Sequence, residues 1–181
     1  MNKSLKMLYD EHDVIMNAID IVSNASSFIG KDDKEYEVII RKLIHFFKAY
    51  ADRYHHYKEE MILFPELSRR NELLGDGVIK EMLDNHDDFR GMIHLAEKKL
   101  NEKDYVLAQK LLEKYAEALL YHIAVENEEL FHTAETLLSP EELDNIYYRF
   151  QDCDRELGEK MKQELADIIE SMRKQFVLTE Q

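Results

Sequence analysis

The chain has 181 residues with only 5 Gly and 2 Pro, too few turn signals for a β-sandwich or barrel, which needs one about every 10 residues. Its 38 acidic residues against 24 basic ones give a formal net charge of -14, the wrong sign for counterion-driven binding to nucleic acid or to an anionic membrane surface. The single Cys153, the lack of a basic-then-apolar leader and the lack of an apolar run near the roughly 20 residues of a membrane span point to a soluble, cytoplasmic protein.

Apolar residues recur every three or four positions, the period of a helix with one buried face. The first helix is expected over residues 3–28, on Leu5, Leu8, His12, Ile15, Ile19 and Val22. Gly30 ends it, and Asp32 and Asp33 can cap a second helix that runs to about residue 69 through Leu43, Phe46, Tyr50, Leu63 and Leu67. Gly75-Asp76-Gly77 breaks the pattern before a third helix over about 78–100, and a fourth covers about 104–138. Ser139-Pro140-Glu141-Glu142 combines a capping Ser, a Pro at the first helical position and a Glu three residues after the cap, so a fifth helix is expected over 140–174. Short connections favour antiparallel neighbours. The reading is therefore all-α: an up-down-up-down four-helix bundle with an additional C-terminal helix, a single domain over 1–175 and a frayed tail at 176–181.

The 8 histidines are the unusual feature of so acidic a chain. His55 and Glu59 in the second helix, and His122 and Glu126 in the fourth, are four residues apart. That spacing turns the second side chain by only about 40° and raises it by about 6 Å, so imidazole and carboxylate can reach a common ion. His56 and Glu60 offer a second register one residue on. Pairing residues 49–64 with 116–131 matches Tyr54 with Tyr121, His55 with His122, Glu59 with Glu126, and Leu63-Phe64 with Leu130-Phe131. The shifted register loses the Leu-Phe match, so His55 and Glu59 are the stronger candidates, with His56 and Glu60 behind them or at the surface.

His12 and His86 lie on the apolar stripes of the first and third helices. Counted from the connecting turn, His86 and His122 differ in depth by about one turn, and His12 and His55 by about two, which makes His12 the looser match. His45, His94 and His132 fit neither spacing nor repeat and are read as structural or exposed. Ferritin-like proteins need Glu-x-x-His on two helices, and here only Glu129-x-x-His132 has that form. Tyr54 and Tyr121 are expected in core packing or beside the pocket, and Cys153 has no visible partner for thiol chemistry.

Histidine on all four helices, His-x-x-x-Glu on the second and fourth, and His55-His-x-Lys-Glu59-Glu-x-x-Leu-Phe-Pro65 together resemble the hemerythrin-like, or HHE cation-binding, domain over about residues 5–138. The resemblance implies a non-haem di-iron centre with His12, His55, His86 and His122 as terminal ligands and Glu59 and Glu126 as bridges. Imidazole with carboxylate suits iron, although manganese and zinc accept the same donors. Hemerythrin carries a second His four residues after the first on its third helix, where this chain has Arg90. The departure implies an open position that could admit dioxygen, peroxide or nitric oxide, with Arg90 near a bound anion. Three functions remain open on this reading: a carrier or sensor of dioxygen or a related small oxidant; an enzyme or repair protein acting on peroxide or nitric oxide or donating iron to clusters; and an interaction bundle with a structural metal, self-associating through its C-terminal helix.

Overall fold

In the computed structural model the described residues are 2–179, with side chains described to residue 176. The chain folds into an all-α bundle of six helices among these residues. The first, α1, spans Lys3–Ala25 and is capped by Asn2, whose side chain accepts from the Ser4 amide. One 3-10 turn, Ser26–Phe28, leads it into the first connection. The second, α2, spans residues 33–70 without interruption and starts on the side chain of Asp32. After the short turn Glu72–Leu74 and a π-helical turn at Gly75–Ile79, α3 runs over Lys80–Asn101. The fourth helix, α4, covers residues 105–137.

The expected fifth helix is two helices, α5 (Pro140–Leu157) and α6 (Glu159–Thr179). They part at Gly158, whose φ of 103° is open to glycine and strained for residues with a Cβ. Periodicity hides this corner, because Leu143, Ile146 and Phe150 before it and Leu165, Ile169 and Met172 after it are all buried and keep one helical phase. Tyr54 fixes the corner by donating to the carbonyls of Leu157 and Gly158, both at 2.9 Å. The chain stays helical to Thr179, and the Phe176 ring meets Phe28 edge-on at 6.0 Å, so an apolar contact extends the helix. The last two residues of the expected tail lie outside the described residues.

The ladder of α2 changes pitch over Phe47–His56 and again over Glu59–Leu63, both π-helical, and α4 does so over Glu126–Leu130. Such turns close i to i+5 bonds and concentrate at functional sites. They pack more residues into each turn, so α2 advances less than an α-helix of equal length.

Burial divides the interior into two apolar slabs. One holds Ile15, Ile19, Leu43, Phe47, Phe89, Leu112 and their neighbours, and the other holds Leu5, Leu8, Leu63, Met82, Phe131 and Phe150 with theirs. Every helix passes through both slabs or reaches one from the polar layer between them. That layer contains His12 of α1, the stretch His55 to Glu59 of α2, His86 of α3, His122 and Glu126 of α4, and Asp154 of α5, all buried apart from Tyr57 within the α2 stretch. Two dry slabs thus exclude water from a disc of ionisable side chains. Among the described residues no helix is long and apolar enough to cross a membrane.

Candidate metal centre

The polar layer brings two donor groups together. His12, His55, Glu59 and Glu126 form one, and His56, Glu59, His86 and His122 form the other. Within each group the donor atoms lie within 4.8 Å of one another, and every member is buried. Glu59 belongs to both. The four-residue spacings close as their geometry requires: His55 Nε2 is 3.4 Å from Glu59 Oε1, and His122 Nε2 is 3.2 Å from Glu126 Oε1. His12 Nε2 reaches the other oxygen of Glu126 at 3.3 Å.

Three of the rings are oriented from behind. His55 Nδ1 is 2.9 Å from Glu11 Oε2, His86 Nδ1 is 2.8 Å from Glu60 Oε1, and His12 Nδ1 is 2.8 Å from Asn127 Oδ1. An ionised carboxylate or an amide oxygen only accepts, so each Nδ1 is the donor and each Nε2 lone pair is turned inward. Outer partners of this kind fix the tautomer and orientation of metal-binding histidines.

The inward atoms lack partners. Among the described residues His12 Nε2, His55 Nε2 and all four carboxylate oxygens of Glu59 and Glu126 are buried without a hydrogen bond. Each such group costs about 1–3 kcal/mol and charged ones cost more, so their concentration at one point is intelligible only if a cation takes their lone pairs. Across the gap His86 Nε2 stands 3.0 Å from His122 Nε2, two donor atoms aimed at a shared space. The donor set is imidazole and carboxylate with no thiolate, which suits iron and also manganese or zinc.

Electrostatics agree with this. Burial, followed by the charge of Glu126, pushes the Glu59 carboxyl well above the usual range. Burial works in the same direction on Glu126, but His122 and His12 outweigh it and hold that carboxyl low. Two carboxylates so close in a dry layer compete for one proton until a cation neutralises them. Burial, with His12 nearby, lowers His55 to about 4 despite Glu11. Burial also drives His56 well down, with His86, His55 and His122 adding to the effect. His55 and His56 are thus held in the neutral form that binds metal.

Behind His55 stands a second polar group. Lys58 Nζ is 2.5 Å from Glu11 Oε1 and 2.7 Å from Asp154 Oδ1. Lys162 of α6 lies 2.5 Å from Glu11 Oε1 and 2.5 Å from Asp154 Oδ2. Burial acts to raise the Glu11 carboxyl, but Lys58, the hydrogen bond from His55 and Lys162 prevail and keep it far below its ordinary range. The C-terminal helices therefore contribute directly to what holds a candidate ligand.

The structure places the other candidates differently from one another. Glu60 stands behind His86. His56 does not sit behind the donors or at the surface: its ring stacks on His86 with centroids 3.8 Å apart, and it joins the second donor group. The wide inward arc of α2 was missed because the internal repeat singles out the His55 register, while the only positive signal for His56 was the doubled His itself. Arg90 does not present a free guanidinium. It bonds Asp52 at 2.8 Å, Asp87 at 2.9 Å and Glu60 at 2.6 Å. Tyr54 serves the α5–α6 corner, and Tyr121 is 66% exposed, because it is turned by about 100° from the inward face that His122 occupies. Glu11, Lys58, Asn127 and Asp154 had no spacing signal. His45, His94 and His132 are exposed. Cys153 is free and half-buried, and burial raises its thiol pKa, which disfavours the reactive thiolate.

Comparison with curated proteins and with solved structures gave no match. The family model for the hemerythrin HHE cation-binding domain matches residues 3–134, from the start of α1 to the last turns of α4. The chain belongs to the hemerythrin HHE cation-binding domain family and carries a hemerythrin-like paired site for metal ions.

Proposed function

We propose that this is a non-haem di-iron protein that binds or senses dioxygen or a related small oxidant in the cytoplasm. The observation that carries the reading is the convergence of two buried donor groups on Glu59. His12 and His55 would hold one iron with Glu126, and His56, His86 and His122 the other, with Glu59 common to both. His56, supplied by α2, takes the part that a second histidine of the third helix plays in hemerythrin. When bound, the iron pair supplies reversible redox chemistry toward small diatomic or peroxide ligands.

The protein's own residues set the conditions for that chemistry. Glu11, Glu60 and Asn127 hold three imidazoles in the tautomer that turns Nε2 inward. The two apolar slabs keep bulk water from the layer, which strengthens every charge interaction within it. The alternating direction of the four core helices supports the up-down-up-down topology, with α5 and α6 completing the same domain. Their apolar faces are spent on α1 and α2, which favours a role inside the metal domain over a separate interaction surface.

Metal analysis with an optical spectrum tests the reading. Protein prepared without oxygen should contain two irons per chain and gain a near-ultraviolet band on exposure to air. One iron or none per chain, or an unchanged spectrum despite loading, would overturn it.

A further inference from the structure

A cavity of about 200 Å³ opens on the surface between α2, α3 and α4. Phe47, Phe89 and Ile93 supply apolar lining, Lys48, Asp52 and Arg90 supply charged lining, and the buried His56 also lines it. Phe89 also meets the His122 ring edge-on at 5.2 Å and lies 6.1 Å from His56. The apolar lining thus ends on two members of one donor group. At the mouth, Arg90 of α3 reaches across to Asp52 and Glu60 of α2, at 2.7 and 2.6 Å.

The larger cavity, about 600 Å³ beside α1, α5 and α6, stops at Glu11, Asp154 and Lys162. The Glu11–Lys58 and Lys58–Asp154 ion pairs stand at its inner end, so a small molecule entering there meets paired charges before any donor of the metal layer. The smaller cavity instead reaches a donor directly, and the apolar part of its lining suits small, weakly hydrated molecules.

We infer that the 200 Å³ cavity is the entry route by which a small neutral ligand reaches the His56 side of the centre, with the Arg90 bridge across its mouth restricting size. This rests on the metal reading above. A diatomic passes beneath the bridge, whereas a larger molecule must first break contacts between Arg90 and three carboxylates. Phe89 and Ile93 become the residues that determine access, although neither offers a donor atom.

Xenon and nitric oxide probe the route separately. In zinc-loaded protein under xenon pressure, xenon should occupy the cavity and perturb the Ile93 methyl resonances, and Ile93→Trp should abolish the effect. In iron-loaded protein, stopped-flow mixing with nitric oxide should show entry slowed by about tenfold or more in Ile93→Trp and quickened in Ile93→Ala, at unchanged iron content. Gln163→Trp, which narrows the larger cavity, should leave the rate unchanged. Xenon absent from the wild-type cavity, or equal nitric oxide rates in wild type and Ile93→Ala, would overturn the inference. Failure of the wild-type protein to load two irons would instead overturn the metal reading, and the xenon result on the zinc-loaded protein would still stand.

Discussion

Lys58 Nζ and Glu11 Oε1 lie 2.5 Å apart in the interior, with Lys58 at 0% and Glu11 at 2% exposure. The surface pair Lys6–Asp10 has the same 2.5 Å separation, so the two differ mainly in solvation. Removing one member of a buried pair strands the other charge and costs about 3–5 kcal/mol. Lys162 remains beside Glu11, which places Lys58→Met toward the lower end. An exposed pair is worth roughly 0–1 kcal/mol, so Lys6→Met should shift the urea midpoint little. Parallel urea titrations of the metal-loaded proteins check the contrast, and equal losses would contradict it.

Metal removal should lower thermal stability substantially. A ligand that binds only the folded state adds about 4 kcal/mol when its concentration is about 1,000 times Kd, which for a chain of this size corresponds to roughly 10 °C in Tm. Calorimetry before and after chelation measures the difference. Glu59→Gln should narrow the gap from both sides. It removes the shared carboxylate from the loaded protein and replaces a carboxyl that burial and Glu126 already push toward its neutral form. Identical melting with and without metal would be incompatible with a buried site.

Gly158 turns the chain from α5 into α6 at φ 103° and ψ 95°. A Cβ there would meet only Met161 Cβ and the Tyr54 hydroxyl, both at 3.8 Å, so the obstacle is backbone conformation and not space. Gly158→Ala should cost about 1–2 kcal/mol by placing an L-residue in the left-handed region. Tyr54→Phe should weaken the same corner by about 0.5–1.5 kcal/mol through its lost hydrogen bonds. Chemical denaturation of the two single variants and the double variant tests whether they act on one corner, which predicts a non-additive pair.

The start of α5 supplies a pH dependence. The Ser139 amide donates to Glu142, and Arg70 of α2 also pairs with Glu142. The Ser139 backbone bond and then Arg70 lower the Glu142 carboxyl from its ordinary 4.5 to about 2. A depressed folded-state pKa means that the stabilisation is fully present above the unfolded value. It is then lost as pH falls from about 4.5 to about 2. Glu142→Gln should therefore flatten the stability profile in that window and leave its slope near neutrality unchanged. A profile that stays as steep in the variant would show that other carboxylates set the acid response.

Local signals in the chain were most informative where one side chain acts through fixed helical spacing. His55 with Glu59 and His122 with Glu126 meet as an i, i+4 pair must, and the Ser139–Glu142 capping box forms at the residues that announce it. What stayed hidden depends on neighbours distant in sequence. The inward turn of His56 follows from the π-helical stretch of α2 and the packing of α3, and Glu11 acquires its meaning from Lys58, Asp154 and Lys162, up to 151 positions away. The break at Gly158 was masked by an apolar phase that continues through it. Tyr54 and Tyr121 match in the repeat but diverge in burial, because α5 and α6 cover one flank of α2 and nothing among the described residues covers the corresponding flank of α4.

The polar layer between the two apolar slabs also has a charge balance of its own. Glu11, Glu59, Glu126 and Asp154 face Lys58 and Lys162, so four carboxylates against two ammonium groups leave two negative charges when all are ionised. A pair of divalent cations, if bound, would reverse that sign and leave two positive charges in a medium that cannot dilute them. Were those cations iron, their oxidation would increase the excess, and the donor groups hold no carboxylate beyond Glu59 and Glu126 with which to answer it. Electroneutrality must then be restored from outside, so the loaded layer should take up small anions more tightly in its oxidised state than in its reduced state.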